Sequence, residues 1–125
     1  MSRILTVKLP WPPTINHYWR TVPMGRATRT LISKKGRIYR TSVIAALSSC
    51  GFYGLRLDDR LAVTITLYPP TKARRDLDNF AKALLDAFTH AGVWLDDDQI
   101  DALHIYRGAV EKGGNAVVTV HSVEE

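Results

Sequence analysis

Apolar residues along this chain follow two different periods. Residues 3–9 (RILTVKL) alternate and are rich in β-branched side chains, which predicts a strand with one buried face. Pro10, Pro12 and Pro13 end it. Residues 61–68 (LAVTITLY) give the same signal more strongly and stop at Pro69 and Pro70. Residues 102–110 and 116–121 read as two further strands, joined by a turn around Lys112-Gly113-Gly114-Asn115. Elsewhere the period becomes helical. In residues 77–91, Leu77, Phe80, Ala81, Leu84, Leu85 and Phe88 share one face, and Gly92 sits where a helix should stop. Residues 34–49 space Ile38, Val43, Ile44 and Leu47 as a second helix, with Ser33 as its cap and Gly51 as its stop, although Gly36 weakens the first turn. Residues 11–29 read as a loop, with 30–33 extended. The order β, α, β, α, β, β predicts an α+β fold: one domain spanning residues 1–125, with a mixed β-sheet and helices packed on one face.

Composition narrows the setting. A length of 125 residues suits one domain with a real core, and a hydrophobic fraction of 46% argues against disorder. A single Cys50 excludes an internal disulfide framework and suits a reducing compartment; its helical context predicts a packed thiol rather than a nucleophile. No apolar run approaches the roughly 18 residues of a membrane span, and MSRILTVKLPW lacks the apolar stretch of a secretory signal. A soluble intracellular protein is expected.

The net charge of +5 conceals an asymmetry. Residues 1–75 hold 14 Lys and Arg against two acids, a balance of +12. Residues 76–125 hold three against ten, a balance of −7. A basic segment beside an acidic one suits a protein that attracts a polyanion and holds a cation, and nucleic acid is the commonest polyanion. The alternative is charge pairing across the fold.

The acids have a notable arrangement. Asp76 and Asp78 lie one residue apart at a loop-to-helix boundary, where two carboxylates can converge on a hard cation such as Mg²⁺ or Mn²⁺. Capping of the helix N-terminus is the commoner use of such acids. Asp78, Asn79, Lys82 and Asp86 fall on the polar helix face, with Asp78–Lys82 and Lys82–Asp86 both at i,i+4. These four form either a surface ladder or a site in which Lys82 neutralises charge on a phosphate. Asp96, Asp97 and Asp98 form a second acidic group near Asp101, preceded by Trp94 and Leu95, which should anchor the turn to the body. Lys72, Arg74 and Arg75 directly precede the first pair. Tyr18, Trp19, Arg20, Arg26, Arg29, Lys34, Lys35, Arg37, Tyr39 and Arg40 offer backbone grip and base stacking, with core packing as the alternative for Trp11, Tyr18 and Trp19. The histidines, with His17 alone placed near a ligand, show no zinc spacing.

Taken together, WPPTINHYWR, RRDLDNFAKALLDAF, HAGVWLDDDQI and the late KGG turn resemble the RusA family of Holliday junction resolvases, in the right order from about Leu9 to Gly114. The resemblance implies a cytoplasmic homodimer of bacterial, phage or prophage origin. It would bind four-way DNA and nick two strands symmetrically, dependent on Mg²⁺ or Mn²⁺. Matched residue by residue, Asp76, Asp78 and Asp97 become the catalytic acids and metal ligands, and Lys82 the catalytic lysine. Arg75 becomes the basic residue before the motif, and Asn79 and Asp86 also match. Arg74, Lys72, Asn79 and Arg20 join Arg75 as expected DNA contacts. Two departures stand out. The TKARR loop has fewer arginines than some members, and a run of three aspartates leaves Asp96 and Asp98 as alternatives to Asp97. Two other functions remain open: a non-catalytic branched-DNA-binding protein, and a related nuclease preferring flaps or forks.

Overall fold

Alternation at the start of the chain builds strand β1 (Ser2–Pro10) in the computed structural model, which describes residues 2–123. Met1, Glu124 and Glu125, included in the expected span 1–125, lie outside the described residues. Leu5, Val7 and Leu9 of β1 are buried on one side of the strand. The chain then runs through a single helical turn α1 (Ile15–Tyr18), strands β2 (Trp19–Met24) and β3 (Ala27–Ile32), helix α2 (Lys34–Ser49) and strand β4 (Leu61–Tyr68). A 3-10 turn (Leu77–Phe80) leads into helix α3 (Ala81–His90). A second 3-10 turn (Asp97–Gln99) leads into β5 (Ile100–Arg107), and β6 (Asn115–Ser122) follows.

The principal sheet has the order β1-β6-β4-β5, with β4 and β5 parallel and the other pairs antiparallel. One face presents Leu61, Val63, Ile65 and Leu67 of β4 beside Ala116, Val118 and Val120 of β6, all buried. Val43 and Leu47 of α2 and Leu84, Ala87 and Phe88 of α3 join the same apolar cluster. The α+β architecture is therefore as expected, a mixed sheet with helices on one face.

Three expectations need correction. The strands expected around Lys112–Asn115 do not form a hairpin, because β4 lies between β5 and β6. Physically, β4 buries Leu61, Ala62 and Val63 in succession, so it takes a central position, while the more exposed β5 takes the edge. The extended end expected at 30–33 is the last part of β3, and residues 11–14 are irregular as expected, but residues 15–29 are not a loop: they form α1 and most of a two-stranded hairpin, with Trp19 opposite Ile32 and Met24 opposite Ala27. Few of its residues are buried, so the burial that produces a period-two signal is missing; Gly25, at φ +63°, makes the tight turn. The third correction is that the helix expected from Leu77 begins as a 3-10 turn and becomes α-helical only at Ala81.

Two smaller expectations also change. Cys50 is exposed at the end of α2 rather than packed. Gly36 proves to be a seat rather than a weakness. Ser33 caps α2 by accepting from the Gly36 N–H at 2.9 Å, and a Cβ on Gly36 would lie 2.5 Å from the Tyr18 carbonyl oxygen.

A polar knot ties the helices together. Tyr18, fully buried, donates its phenol to Asp86 Oδ2, and Arg40 Nη2 donates to the same oxygen at 2.8 Å. Burial pushes the Tyr18 phenol up, and the bond to Asp86 raises it further. Burial acts to lower the Arg40 guanidinium, but its bonds to Asp86 and Tyr18 outweigh that and hold it above its ordinary value. Tyr39, buried under α2, donates to the Pro10 carbonyl at 2.7 Å, and burial pushes its phenol up too. Tyr18 thus follows the core-packing alternative, and Tyr39 and Arg40 are structural residues rather than the DNA-gripping surface expected of them.

Two outcomes follow for stability. Asp86→Ala, which strands Arg40 and the Tyr18 hydroxyl, should cost roughly 2–4 kcal/mol in urea denaturation. Both phenols are raised above the ordinary value near 10, so the folded state keeps protons that the unfolded chain gives up. Their contribution is therefore complete below about pH 10 and is lost as the pH rises beyond it. Denaturation midpoints measured up that range should fall in the parent and fall less in Tyr39→Phe.

Candidate active site

Pro69 and Pro70 stop β4, and the following basic loop folds around Arg75. Its Nη1 donates to the Thr71 and Ala73 carbonyls at 2.9 and 3.0 Å, and its Nη2 donates to Thr71 Oγ1 at 2.8 Å. The guanidinium also lies 5.6 Å from the centre of the Trp11 ring, which packs on Phe80 at 4.9 Å. Arg107 Nη2 donates to the Arg75 carbonyl at 2.9 Å. Arg75 thus shapes the loop. Lys72 and Arg74 project from it, exposed and without a partner among the described residues.

This loop delivers Asp76 to the start of the 3-10 turn, but Asp76 makes no side-chain cap. The Asn79 N–H bonds to its backbone carbonyl instead, at 3.3 Å. Asp78 is exposed in the first turn, and neither carboxylate has a hydrogen bond or ion pair among the described residues. Capping therefore does not account for either acid. Asp76 lines two neighbouring hollows. One, of about 340 Å³, is shared with Thr14, Arg74, Arg75, Asn79 and Phe80. The other, of about 370 Å³, is shared with Lys72, Ala73, Arg74, Arg75 and Arg107.

The second acidic run divides its work. Asp96 caps its turn by accepting from the Asp98 N–H at 3.1 Å, while the Gln99 Oε1 accepts from the Asp96 and Leu95 N–H groups at 2.8 and 2.7 Å. The Gln99 amide then donates to the Leu57 and Asp59 carbonyls at 2.8 and 3.0 Å, which fastens the turn to the preceding loop. Asp101 pairs with Arg60 at 2.6 Å. Asp97 alone turns toward α3, where its Oδ2 lies 3.5 Å from Lys82 Nζ. Its Oδ1 accepts from the Thr89 hydroxyl and, at 3.3 Å, from Trp94 Nε1. Trp94 is buried and stacks on Phe88, with centroids 5.3 Å apart. Leu95 is 53% exposed, so Trp94 anchors the turn without it.

Several expected pairings are absent among the described residues. Lys82 pairs with Asp97, not with Asp78 or Asp86, because Asp78 sits on the 3-10 turn and Asp86 is engaged by Arg40 and Tyr18. Arg20, the second residue of β2, is exposed and lines neither hollow. No group of three or more His, Cys, Asp or Glu among the described residues is placed to hold one ion. The donors nevertheless fit a hard divalent cation in kind: two unpaired carboxylates, with basic groups beside them for phosphate. Mg²⁺ commonly takes one or two carboxylates with waters and substrate phosphates rather than an all-protein cage. Arg107, Thr14 and Thr89 were not anticipated. Arg107 did carry a signal, as one of only three basic residues in the acidic segment.

An unpaired acidic pair set in a basic loop is the equipment of a protein that handles phosphodiesters, and the chain's relatives are of that class. The chain belongs to the RusA family of endodeoxyribonucleases, whose model matches residues 10–121. It is 36% identical over 115 residues, 92% of each chain, to the crossover junction endodeoxyribonuclease RusA of Shigella sonnei (strain Ss046) and to that of Escherichia coli (strain K12). It is 38% identical over 118 residues, 91% of each chain, to the corresponding enzyme of Enterobacteria phage 82. Among the described residues no helix is long and apolar enough to cross a membrane.

The division among the acids can be tested by stability. Gln99→Ala, which strands two N–H groups and two carbonyls, should cost roughly 2–3 kcal/mol in chemical denaturation. Asp96→Ala should cost about 1 kcal/mol through the lost cap. Equal and negligible losses would show that the turn is not held this way.

Proposed function

We propose that this protein is a Holliday junction resolvase: a cytoplasmic homodimer that nicks four-way DNA in a paired, symmetric manner with Mg²⁺, Mn²⁺ substituting. The observation that carries the reading is the likeness over 92% of both chains to crossover junction endodeoxyribonucleases. The unpaired Asp76 and Asp78 beside a free basic loop agree with it. A junction has two-fold symmetry, so a two-fold dimer presents one site to each of two opposed strands.

The reaction joins a water oxygen to phosphorus and breaks one P–O ester bond, and the departing oxygen takes up a proton. Asp76 and Asp78 would hold the cation, and Asp97, which the free protein does not bring into one group with them among the described residues, would supply a third carboxylate in the complex with DNA and ion. A bound cation supplies Lewis acidity to the phosphate and to water. Lys82, partnered with Asp97 at 3.5 Å, carries positive charge for the phosphate oxygens as they gain negative charge. Arg74, Lys72 and Arg107 line a basic hollow beside Asp76 that suits the flanking phosphates. Arg75 supports this indirectly by holding the loop, Asn79 borders the adjoining hollow, and Arg20 extends the basic surface onto β2.

The test is a mobile synthetic four-way junction, a linear duplex and a flap, each incubated with Mg²⁺ or with EDTA. Paired nicks in the junction alone, lost in EDTA, are expected. Asp78→Asn should reduce nicking at least about 1,000-fold, as loss of a group acting on the transition state does, with junction affinity retained. Junction binding without cleavage by the parent protein would make it a binding protein, and flap cleavage alone would reassign its substrate.

A further inference from the structure

Asp97 is unlike Asp76 and Asp78 because the protein contacts both of its oxygens, Oδ1 from Thr89 and Trp94 and Oδ2 from Lys82. The grip on Oδ1 comes from a relay. Trp94 Nε1 lies 2.7 Å from Thr89 Oγ1 and 3.3 Å from Asp97 Oδ1, so its one N–H goes mainly to the nearer hydroxyl oxygen. The hydroxyl has one proton of its own and two acceptors within reach: the Leu85 carbonyl at 3.1 Å and Asp97 Oδ1. An ionised carboxylate is the stronger acceptor, so the proton is directed to Asp97. Trp94 is itself immobilised, buried and stacked on Phe88. Direction therefore passes from a fixed indole through Thr89 to Asp97 Oδ1, and Oδ2 remains on the Lys82 side at 3.5 Å.

We infer that Thr89 is a positioning residue for the cleavage reaction: it relays the fixed Trp94 indole to Asp97, so that Oδ2 rather than Oδ1 is presented beside Lys82. This rests on the reading of Asp97 as a cation-binding carboxylate. Thr89 would act through Asp97, to which its hydroxyl bonds. Its sequence position gives no hint of the role, because a threonine near a helix end ordinarily just bonds back to the carbonyl four residues earlier. Partners that orient a metal-binding carboxylate typically matter about 10–100-fold in metal affinity or activity.

The experiment compares the full-length parent with Thr89→Val, which loses the hydroxyl at similar volume, and Thr89→Ser, which keeps it. Thr89→Ala replaces the valine variant if that one does not fold. The first readout needs no DNA: the Trp94 indole N–H signal in ¹⁵N-labelled protein, assigned by its loss in Trp94→Phe, is followed through a Mg²⁺ titration. In the parent and in Thr89→Ser the signal should shift over the same Mg²⁺ range. In Thr89→Val it should start displaced and respond only at roughly 10-fold or more higher Mg²⁺. The second readout is junction nicking against Mg²⁺, where Thr89→Val should need roughly 10–100-fold more ion for half-maximal rate, and Thr89→Ser should match the parent. A folded Thr89→Val with the parent's Mg²⁺ dependence in both readouts overturns the inference, as does a parent indole signal that ignores Mg²⁺. A parent that shows the indole shift yet cuts no junction leaves the relay standing and overturns the resolvase reading instead.

Discussion

One carboxylate oxygen, Asp86 Oδ2, receives both the Tyr18 phenol and the Arg40 guanidinium, and the arrangement of the helices depends on it. Tyr18 ends α1, Arg40 lies in α2 and Asp86 in α3, so a single acceptor sets three elements against each other. An apolar interface tolerates sliding by a fraction of a residue; a buried, charged acceptor with two donors does not, because any displacement leaves desolvated polar groups unpaired. The cost is visible in Arg40 Nε, which is buried without a partner among the described residues. Because α3 also carries Lys82 and Thr89, this structural ion pair fixes the height at which the candidate site is built.

The acids show how one residue type acquires different duties from its surroundings. Asp86 is spent on internal architecture, Asp96 on a turn, and Asp101 on a surface pair with Arg60. Asp97 is held on both oxygens, and Asp76 and Asp78 are left free among the described residues. Three adjacent aspartates would repel if they pointed the same way. The capping box with Gln99 separates them, engaging the first and turning the second inward. Within that run Asp96 is committed to the Asp98 amide, and Asp97 to Thr89, Trp94 and Lys82.

Sequence patterning was most informative where burial was strong. β1, α2, β4 and β6 alternate or repeat cleanly because each has one face in the core, and their limits were anticipated to within two residues. The β2–β3 hairpin escaped notice because it buries little and so carries no period. The pairing of β5 with β4 escaped because adjacency in sequence suggests a hairpin, whereas the choice of central strand depends on total burial. Within the site, the free acids and the basic loop could be read from composition and spacing. The partnership of Asp86 with residues 46 and 68 positions away could not, since helical spacing offered nearer partners for it. Arg75 carries a second duty the sequence did not announce: three of its five N–H donors hold its own loop, while the residue still lines both hollows beside Asp76.

Tyr18 serves the protein at both ends. Its hydroxyl is held by Asp86, while its carbonyl accepts the Ser33 N–H at 2.8 Å and so closes the base of the β2–β3 hairpin. The same carbonyl forbids any side chain at Gly36. In mechanical terms the exposed arm and the buried helix hang from one pin. A load applied at the tip of the arm passes not to the sheet, from which the hairpin is separate, but to α2, which follows β3 directly, and through Tyr18 to the helix that carries Lys82.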